Sequence, residues 1–333
     1  MTITHGGNIY ALARELHCQP QEILDFSASI NPLGMAPGVR EAILEAIPRI
    51  AHYPEPQSLS LQTALSRQWN VPQDLILTGN GATDLIHFLQ RAHWPASANT
   101  VTLLIPTFSE FHRAYPHAKL VKTWSQLEGL AIVTRPNNPN GDLLPLAAIE
   151  SILEAGHHLI ADESFIEFTE AASALTFVEK YKKLLVLRSL TKLHALPGLR
   201  IGALAGQAIP ELMPMREPWQ VNALAEAAAL VAIAATTHHE KTRAFIKAER
   251  TWFTGQLTKL GLAPQPGFAN YILVKTAQDP AALVAKLAQR RVMVRDCSHL
   301  PGVDEPAIRL AVRTRSDNQQ LLHLLEEFLC AGH

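Results

Sequence analysis

Lys192 stands just past the apolar run KKLLVLR (182–188), in the stretch SLTKLHALPGLRIG (189–202). Ser189 and Thr191 precede it as two hydroxyls, and Arg200 follows as a cation. A short apolar run bounded by turn residues reads as a strand buried on both faces of a parallel sheet. A lysine leaving such a strand into a low-dielectric cleft gives up its proton more easily and becomes an amine nucleophile for carbonyl groups. The plainer reading is a solvated lysine at the end of a sheet.

That plainer reading weakens because other reactive residues close similar runs. Asp162 ends HHLIAD (157–162) and offers a carboxylate to a protonated ring nitrogen, although an aspartate N-cap is common there. GNGATD (79–84) joins glycines to a helix start, where free backbone N–H groups and the helix dipole favour phosphate. It lacks the third glycine of a dinucleotide fingerprint and the Lys-Ser/Thr of a P-loop, so alone it means only a tight turn. With Ser189, Thr191 and Arg200 it makes a cup for one phosphate monoester, the arginine clamping two oxygens. PNNPNG (136–141) is a turn by composition, and an asparagine in it can donate to a phenolate-like oxygen. Phe108 follows another run, TVTLLI (100–105), where it can stack on a flat ring or simply fill core.

These residues need a scaffold that brings strand ends together. LILT (75–78), TVTLLI, LAIVT (130–134), HLIA (158–161), LLVLR (184–188) and LRIGALA (199–205) alternate with helix-period segments such as 83–92 and 144–155. This predicts an α/β layer fold with a mostly parallel sheet, whose ligands bind beyond the carboxyl ends of the strands. After residue 235 a long polar helix pattern (239–260) leads to NYILVKT (270–276), a helix (280–290), VMVRDC (292–297), AIRLAVRT (307–314) and a last helix from Asp317. The expected division is an N-terminal segment, 1–30, packing on the small domain or a dimer interface. A large α/β domain, 31–235, and a small α+β domain, 236–333, would follow. A chain of 333 residues is long enough for two cores.

Lys+Arg 29 against Asp+Glu 30 gives no bulk attraction to nucleic acid or anionic lipid. Cys18, Cys297 and Cys330 lack metal or disulfide spacing, and the start MTITHGGNIY is not a signal peptide, so a cytoplasmic protein without metal is expected. The histidine pairs 157–158 and 238–239 lack acidic partners at metal-ligand spacing. Gly198, Gly202 and Gly206 suggest close packing beside a strand.

Taken in order, HYPEPQ (52–57), GNGATD, PTF (106–108), PNNPNG, DESF (162–165), SLTK (189–192), LPGLRIG (196–202) and the arginine of AIRLAVRT resemble the fold-type I enzymes that use pyridoxal 5'-phosphate (PLP). Within them the chain is similar to the histidinol-phosphate aminotransferases and to the threonine-phosphate decarboxylases of cobalamin biosynthesis. The resemblance implies that Lys192 carries the cofactor, Asp162 meets its ring nitrogen, Asn138 its ring oxygen and Phe108 its face. Gly81, Ala82, Thr83, Ser189, Thr191 and Arg200 would hold its phosphate, joined by Tyr53 from a neighbouring subunit in a homodimer. Arg309 would bind the substrate carboxylate and Arg295 its phosphate, with His5, Asn31 and Arg313 as helpers around a small phosphorylated amino acid. HGGNIYALA (5–13), DFSASINPLG (25–34) and Phe165, where the aminotransferases usually carry tyrosine, favour decarboxylation of threonine phosphate.

Overall fold

A computed structural model describes residues 6–330. The first half of the chain runs through α1 (Ile9–Glu15), β1 (Leu24–Asp25), α2 (Val39–Ala46), α3 (Leu59–Trp69), β2 (Ile76–Gly79), α4 (Ala82–Arg91), β3 (Val101–Leu104), α5 (Ser109–Ala114), β4 (Lys119–Val121), β5 (Leu130–Thr134) and α6 (Leu146–Glu154). Next come β6 (His158–Asp162), β7 (Leu184–Ser189), β8 (Gly202–Ala205), α7 (Ile209–Leu212), α8 (Ala223–Ala234) and α9 (Thr236–Lys259). The chain ends with β9 (Ala263–Pro264), β10 (Tyr271–Lys275), α10 (Pro280–Gln289), β11 (Val292–Met293), β12 (Arg295–Asp296), β13 (Ala307–Ala311) and α11 (Arg315–Cys330).

Seven strands form one sheet in the order β2-β8-β7-β6-β5-β3-β4. The pairs β7–β6, β6–β5, β5–β3 and β3–β4 are parallel. Their side chains alternate between two cores: Leu184 and Val186 of β7 pack on one face with Ile149 and Ile233, Leu185 and Leu187 on the other with Ile86 and Phe111. Burial on both faces is why these strands read as unbroken apolar runs rather than alternating ones. Each fully buried aliphatic side chain contributes roughly 1.5–3 kcal/mol. The sheet thus fixes the backbone from which the reactive residues emerge.

The exception to the parallel rule is β8, antiparallel to both β7 and β2. The segment between β7 and β8 holds no helix to carry a parallel crossover, so the chain returns beside its own strand. This return brings Arg200 back to Lys192. The edge strand β4 escaped the sequence reading because two of its three residues are exposed.

A second, antiparallel sheet runs β12-β13-β10-β9. Against it pack Phe253 and Leu257 of α9 and Leu321 and Leu325 of α11, around Tyr271, Ile308 and Leu310. VMVRDC divides into β11 and β12; β11 pairs in parallel with β1, and Phe26 enters the same core. The architecture is thus a large, mostly parallel sheet and a smaller antiparallel sheet covered by helices, as the α/β and α+β patterns of the sequence predict. No helix among the described residues is long and apolar enough to cross a membrane.

Candidate active site

Because β2 and the parallel strands point the same way, their carboxyl ends open into one cavity of about 360 Å³. Ala82 and Thr83 line it from beyond β2, Phe108 from beyond β3, Asn138 from beyond β5 and Asp162 from the end of β6. Ser189, Thr191 and Lys192 enter from β7, Arg200 from the return to β8, and Arg309 from β13 on the second sheet. Phe165 lines the wall beside Lys192, whose Nζ lies 6.0 Å from the ring centroid.

Burial lowers the Lys192 amine to a pKa of about 8, helped by Arg309 and Arg200 and opposed by Asp162. At pH 7 about a tenth of such an amine is neutral, against on the order of one in three thousand for an ordinary lysine. Asp162 moves the other way. Burial pushes its carboxyl up to about 6, while hydrogen bonds from Ser164 hold it down. Ser164 donates to Oδ1 through its backbone N at 2.9 Å and its hydroxyl at 2.5 Å. The aspartate therefore makes a local Asx-type turn bond and also faces the cavity; it is not the helix N-cap of the plainer reading, since the short helix that follows is capped at Phe165.

The end of the cavity expected to take phosphate is built by backbone. Gly81 has φ +89° as the N-cap of α4, and a Cβ there would lie 2.5 Å from Arg200 Nη2. A Cβ on Gly202 would lie 2.8 Å from the Ala82 N, so glycine lets β8 press against the first turn of α4. Ser189 Oγ and Thr191 Oγ1 are 2.8 Å apart, and Arg200 itself holds the left-handed φ of +58°, a strained state typical of ligand clamps. Helix N–H groups, two hydroxyls and a guanidinium converge as a phosphate monoester requires. The residues present fit PLP: a partly neutral lysine, a buried carboxylate and an anion cup around one cavity. Ser29 adds a buried hydroxyl, without a partner among the described residues, on the same wall.

At the opposite wall Arg309 donates through Nη1 to Asn138 Oδ1 and through Nη2 to the Ser27 carbonyl at 2.7 Å. Its cross-strand partner is Arg295, which is buried and lines a small side cavity with Arg309, Cys297 and Leu300.

Three of the other named residues are elsewhere. Arg313 donates to the Asp25 carbonyl at 3.0 Å and pairs with Asp317 at 3.1 Å, bracing the N-terminal strand rather than lining the cavity. The Asn31 side chain is spent on Leu193, Thr242 and Leu33, so it is not a cavity ligand. Tyr53 is 82% exposed and stacks on Trp219 at 4.8 Å, away from its own chain's cavity. His5 lies outside the described residues. Conversely, the sequence reading missed Ser27 and Ser164 as wall residues. A usable signal existed: both follow an aspartate by two positions, the spacing of an Asx turn, and Ser27 donates to Asp25 Oδ1 at 2.6 Å. Of the three packing glycines, Gly198 has nothing near an added Cβ. No cluster of potential metal ligands occurs among the described residues.

A family model described as aminotransferase class I and II matches residues 119–328. Threonine-phosphate decarboxylase of Salmonella typhimurium is 34% identical, covering 98% of this chain and 96% of its own. Histidinol-phosphate aminotransferase of Methanococcus aeolicus is 29% identical, covering 96% of this chain and 93% of its own. The solved histidinol-phosphate aminotransferase from Sinorhizobium meliloti, in complex with pyridoxal-5'-phosphate, shares the fold with a TM-score of 0.88 at 20% identity, covering 100% of this chain and 96% of that one. The lysine, carboxylate and phosphate cup at these strand ends have their explanation in that kinship: the chain belongs to the class I and II aminotransferase family of PLP-dependent, fold-type I enzymes, in the group that includes the threonine-phosphate decarboxylases.

Proposed function

We propose that this enzyme decarboxylates L-threonine O-3-phosphate to (R)-1-amino-2-propanol phosphate, the step that supplies cobalamin biosynthesis with its aminopropanol linker. One observation carries the substrate class. Arg295 and Arg309 are direct cross-strand neighbours, and like charges so placed destabilise a sheet unless anions meet them. Among the described residues neither has a carboxylate partner within ion-pair distance, which suits a ligand bringing a carboxylate and a phosphate together. The 34% identical relative and Phe165 favour decarboxylation over amino transfer.

PLP supplies, when bound, an electron sink for the pair released at Cα as the carboxylate departs as CO₂. Lys192 holds the cofactor through its partly neutral amine. Asp162 would hold the ring N–H, for which Oδ2 is left because both Ser164 bonds fall on Oδ1. Asn138, its Oδ1 taken by Arg309, is left with its amide N–H groups for the ring oxygen. Thr83, Ser189, Thr191 and Arg200 hold the cofactor phosphate. Arg309 and Arg295 would fix the two substrate anions, and their grip would select the bond to the carboxylate, rather than the C–H bond, for cleavage. Once the substrate amine has taken its place on the cofactor, the freed Lys192 amine would carry the proton to Cα, and its pKa of about 8 leaves it largely protonated near neutrality. Tyr53 reaches the phosphate of a second subunit in a homodimer.

Incubation of the PLP-loaded protein with L-threonine phosphate tests the reading. Release of CO₂ and the amino alcohol phosphate without any keto-acid acceptor is the expected outcome. Turnover that strictly requires an acceptor would instead make it an aminotransferase for a phosphorylated amine.

A further inference from the structure

Lys192 lies past the end of β7, in a turn whose carbonyls are outside the sheet. Something else must hold that backbone, and Asn31 does so. Its backbone N donates to the Lys192 carbonyl at 3.1 Å, and its Nδ2 donates to the Leu193 carbonyl at 2.9 Å. The same Nδ2 donates to Thr242 Oγ1 of α9 at 3.0 Å, with longer approaches to His238 Nε2 at 3.3 Å and the Gly34 carbonyl at 3.4 Å. Oδ1 accepts from the Leu33 N at 3.0 Å. Two amide hydrogens thus go to the two shortest acceptors, one on the lysine's turn and one on α9. Asn31 is 4% exposed, so these bonds are made away from solvent, where leaving an acceptor unpaired is costly.

The segment leading into Asn31 is tied at its other end to the second sheet. Phe26 N donates to the Met293 carbonyl at 2.7 Å, and Ala311 N donates to the Phe26 carbonyl at 2.8 Å. One residue later the Ser27 carbonyl accepts from Arg309. Residues 26–31 therefore form a strap from the sheet carrying the two arginines to the turn carrying the lysine, with Asn31 as its terminal clamp.

We propose that Asn31 is a positioning residue: its side chain clamps the Lys192–Leu193 backbone to α9 and so sets where the lysine amine stands in the cavity. The proposal rests on Lys192 being the cofactor-bearing lysine. Asn31 does not touch substrate; it acts through Lys192.

The test uses PLP-loaded Asn31→Ala, Thr242→Val and Lys192→Ala proteins. The pH titration of the visible band of bound PLP, kcat, KM and thermal unfolding are measured. Asn31→Ala should move the titration midpoint by about half a pH unit or more. It should lower kcat about ten- to a hundredfold while KM stays within about threefold. Thr242→Val, which removes one acceptor of the clamp, should move the midpoint in the same direction by less. A folded Asn31→Ala protein with the wild-type titration curve overturns the proposal, as does one whose KM alone rises, the mark of a substrate ligand. Should Asn31→Ala fail to fold, an unshifted Thr242→Val curve overturns it and a shifted one upholds it. Lys192→Ala separates the two levels: a retained visible band ends the lysine assignment and this proposal with it. A lost band beside wild-type behaviour of Asn31→Ala ends the proposal alone.

Discussion

Asp162 and Lys192 show how a buried site trades stability for chemistry, and the sign of each effect can be followed through pH. Asp162 stays protonated in the folded chain up to about pH 6 but loses its proton near the ordinary carboxylate value of 3.8 when unfolded. Between those values the unfolded chain holds fewer protons, so folding stability falls as pH rises through the window and is level above it. Lys192 behaves as the mirror case: stability is lost as pH falls from the ordinary lysine value of 10.5 to about 8. In cofactor-free protein, Asp162→Asn keeps an acceptor for Ser164 and removes the buried charge. Chemical denaturation should find this variant more stable than wild type at pH 7, by on the order of 3 kcal/mol. The gap should close as pH falls through about 6 toward 4. With PLP bound, the same variant should lose at least about a hundredfold in kcat, because nothing then holds the ring nitrogen protonated. A wild type that is the more stable at pH 7 would refute the assignment of strain to Asp162. At this scale the sequence was informative where a reactive residue follows a strand, as Lys192, Asp162 and Asn138 do. It was silent where long-range packing decides, as for Asn31 and Arg313: both are polar, yet each spends its side chain on structure.

At the scale of elements, the sheet order does work that no single motif contains. The runs of β5, β6 and β7 were legible because two-faced burial leaves a continuous apolar signature. The antiparallel direction of β8 was not, since direction depends on what connects two strands rather than on the strand itself. Yet that direction places Gly202 against Ala82 and Arg200 beside Gly81, so the proposed phosphate cup depends on the β7–β8 return. Glycine substitutions separate this effect from general flexibility. Gly81→Ala puts a side chain at φ +89° and against Arg200, and strain of that kind costs on the order of 1–3 kcal/mol. PLP titration should show affinity reduced about tenfold or more, in line with the upper part of that range. Gly198→Ala, with open space around its Cβ, should stay within about 0.5 kcal/mol of wild type and bind PLP normally. Equal effects of the two would mean that Arg200 and Gly81 do not form the cup.

At the scale of the whole molecule, one exposed apolar stretch among the described residues leads to Tyr53. Leu44 is 53% exposed, Ile47 44% and Ile50 66%, spaced three residues apart along α2 and the turn after it, and Tyr53 follows at the same interval. Apolar side chains repeated in this way on a surface mark an interaction face. A second copy of the chain would cover it and carry Tyr53 toward a cavity in which its own chain does not use it. Arginines on one sheet, a lysine on the other and a tyrosine from a partner would then complete one site from three sources. Complementation tests this directly. Lys192→Ala and Tyr53→Ala subunits should each be impaired when assayed alone at limiting PLP. Mixed dimers of the two contain one site with both defects and one with neither, because a two-fold interface exchanges the same residues in both directions. Random reassociation of equal amounts should therefore restore roughly a quarter of wild-type activity, half the dimers being mixed and half their sites intact. Activity no greater than the sum of the separate variants would assign Tyr53 to its own chain, and Ile50→Asp, expected to yield monomers in sedimentation, would then retain PLP affinity instead of losing it.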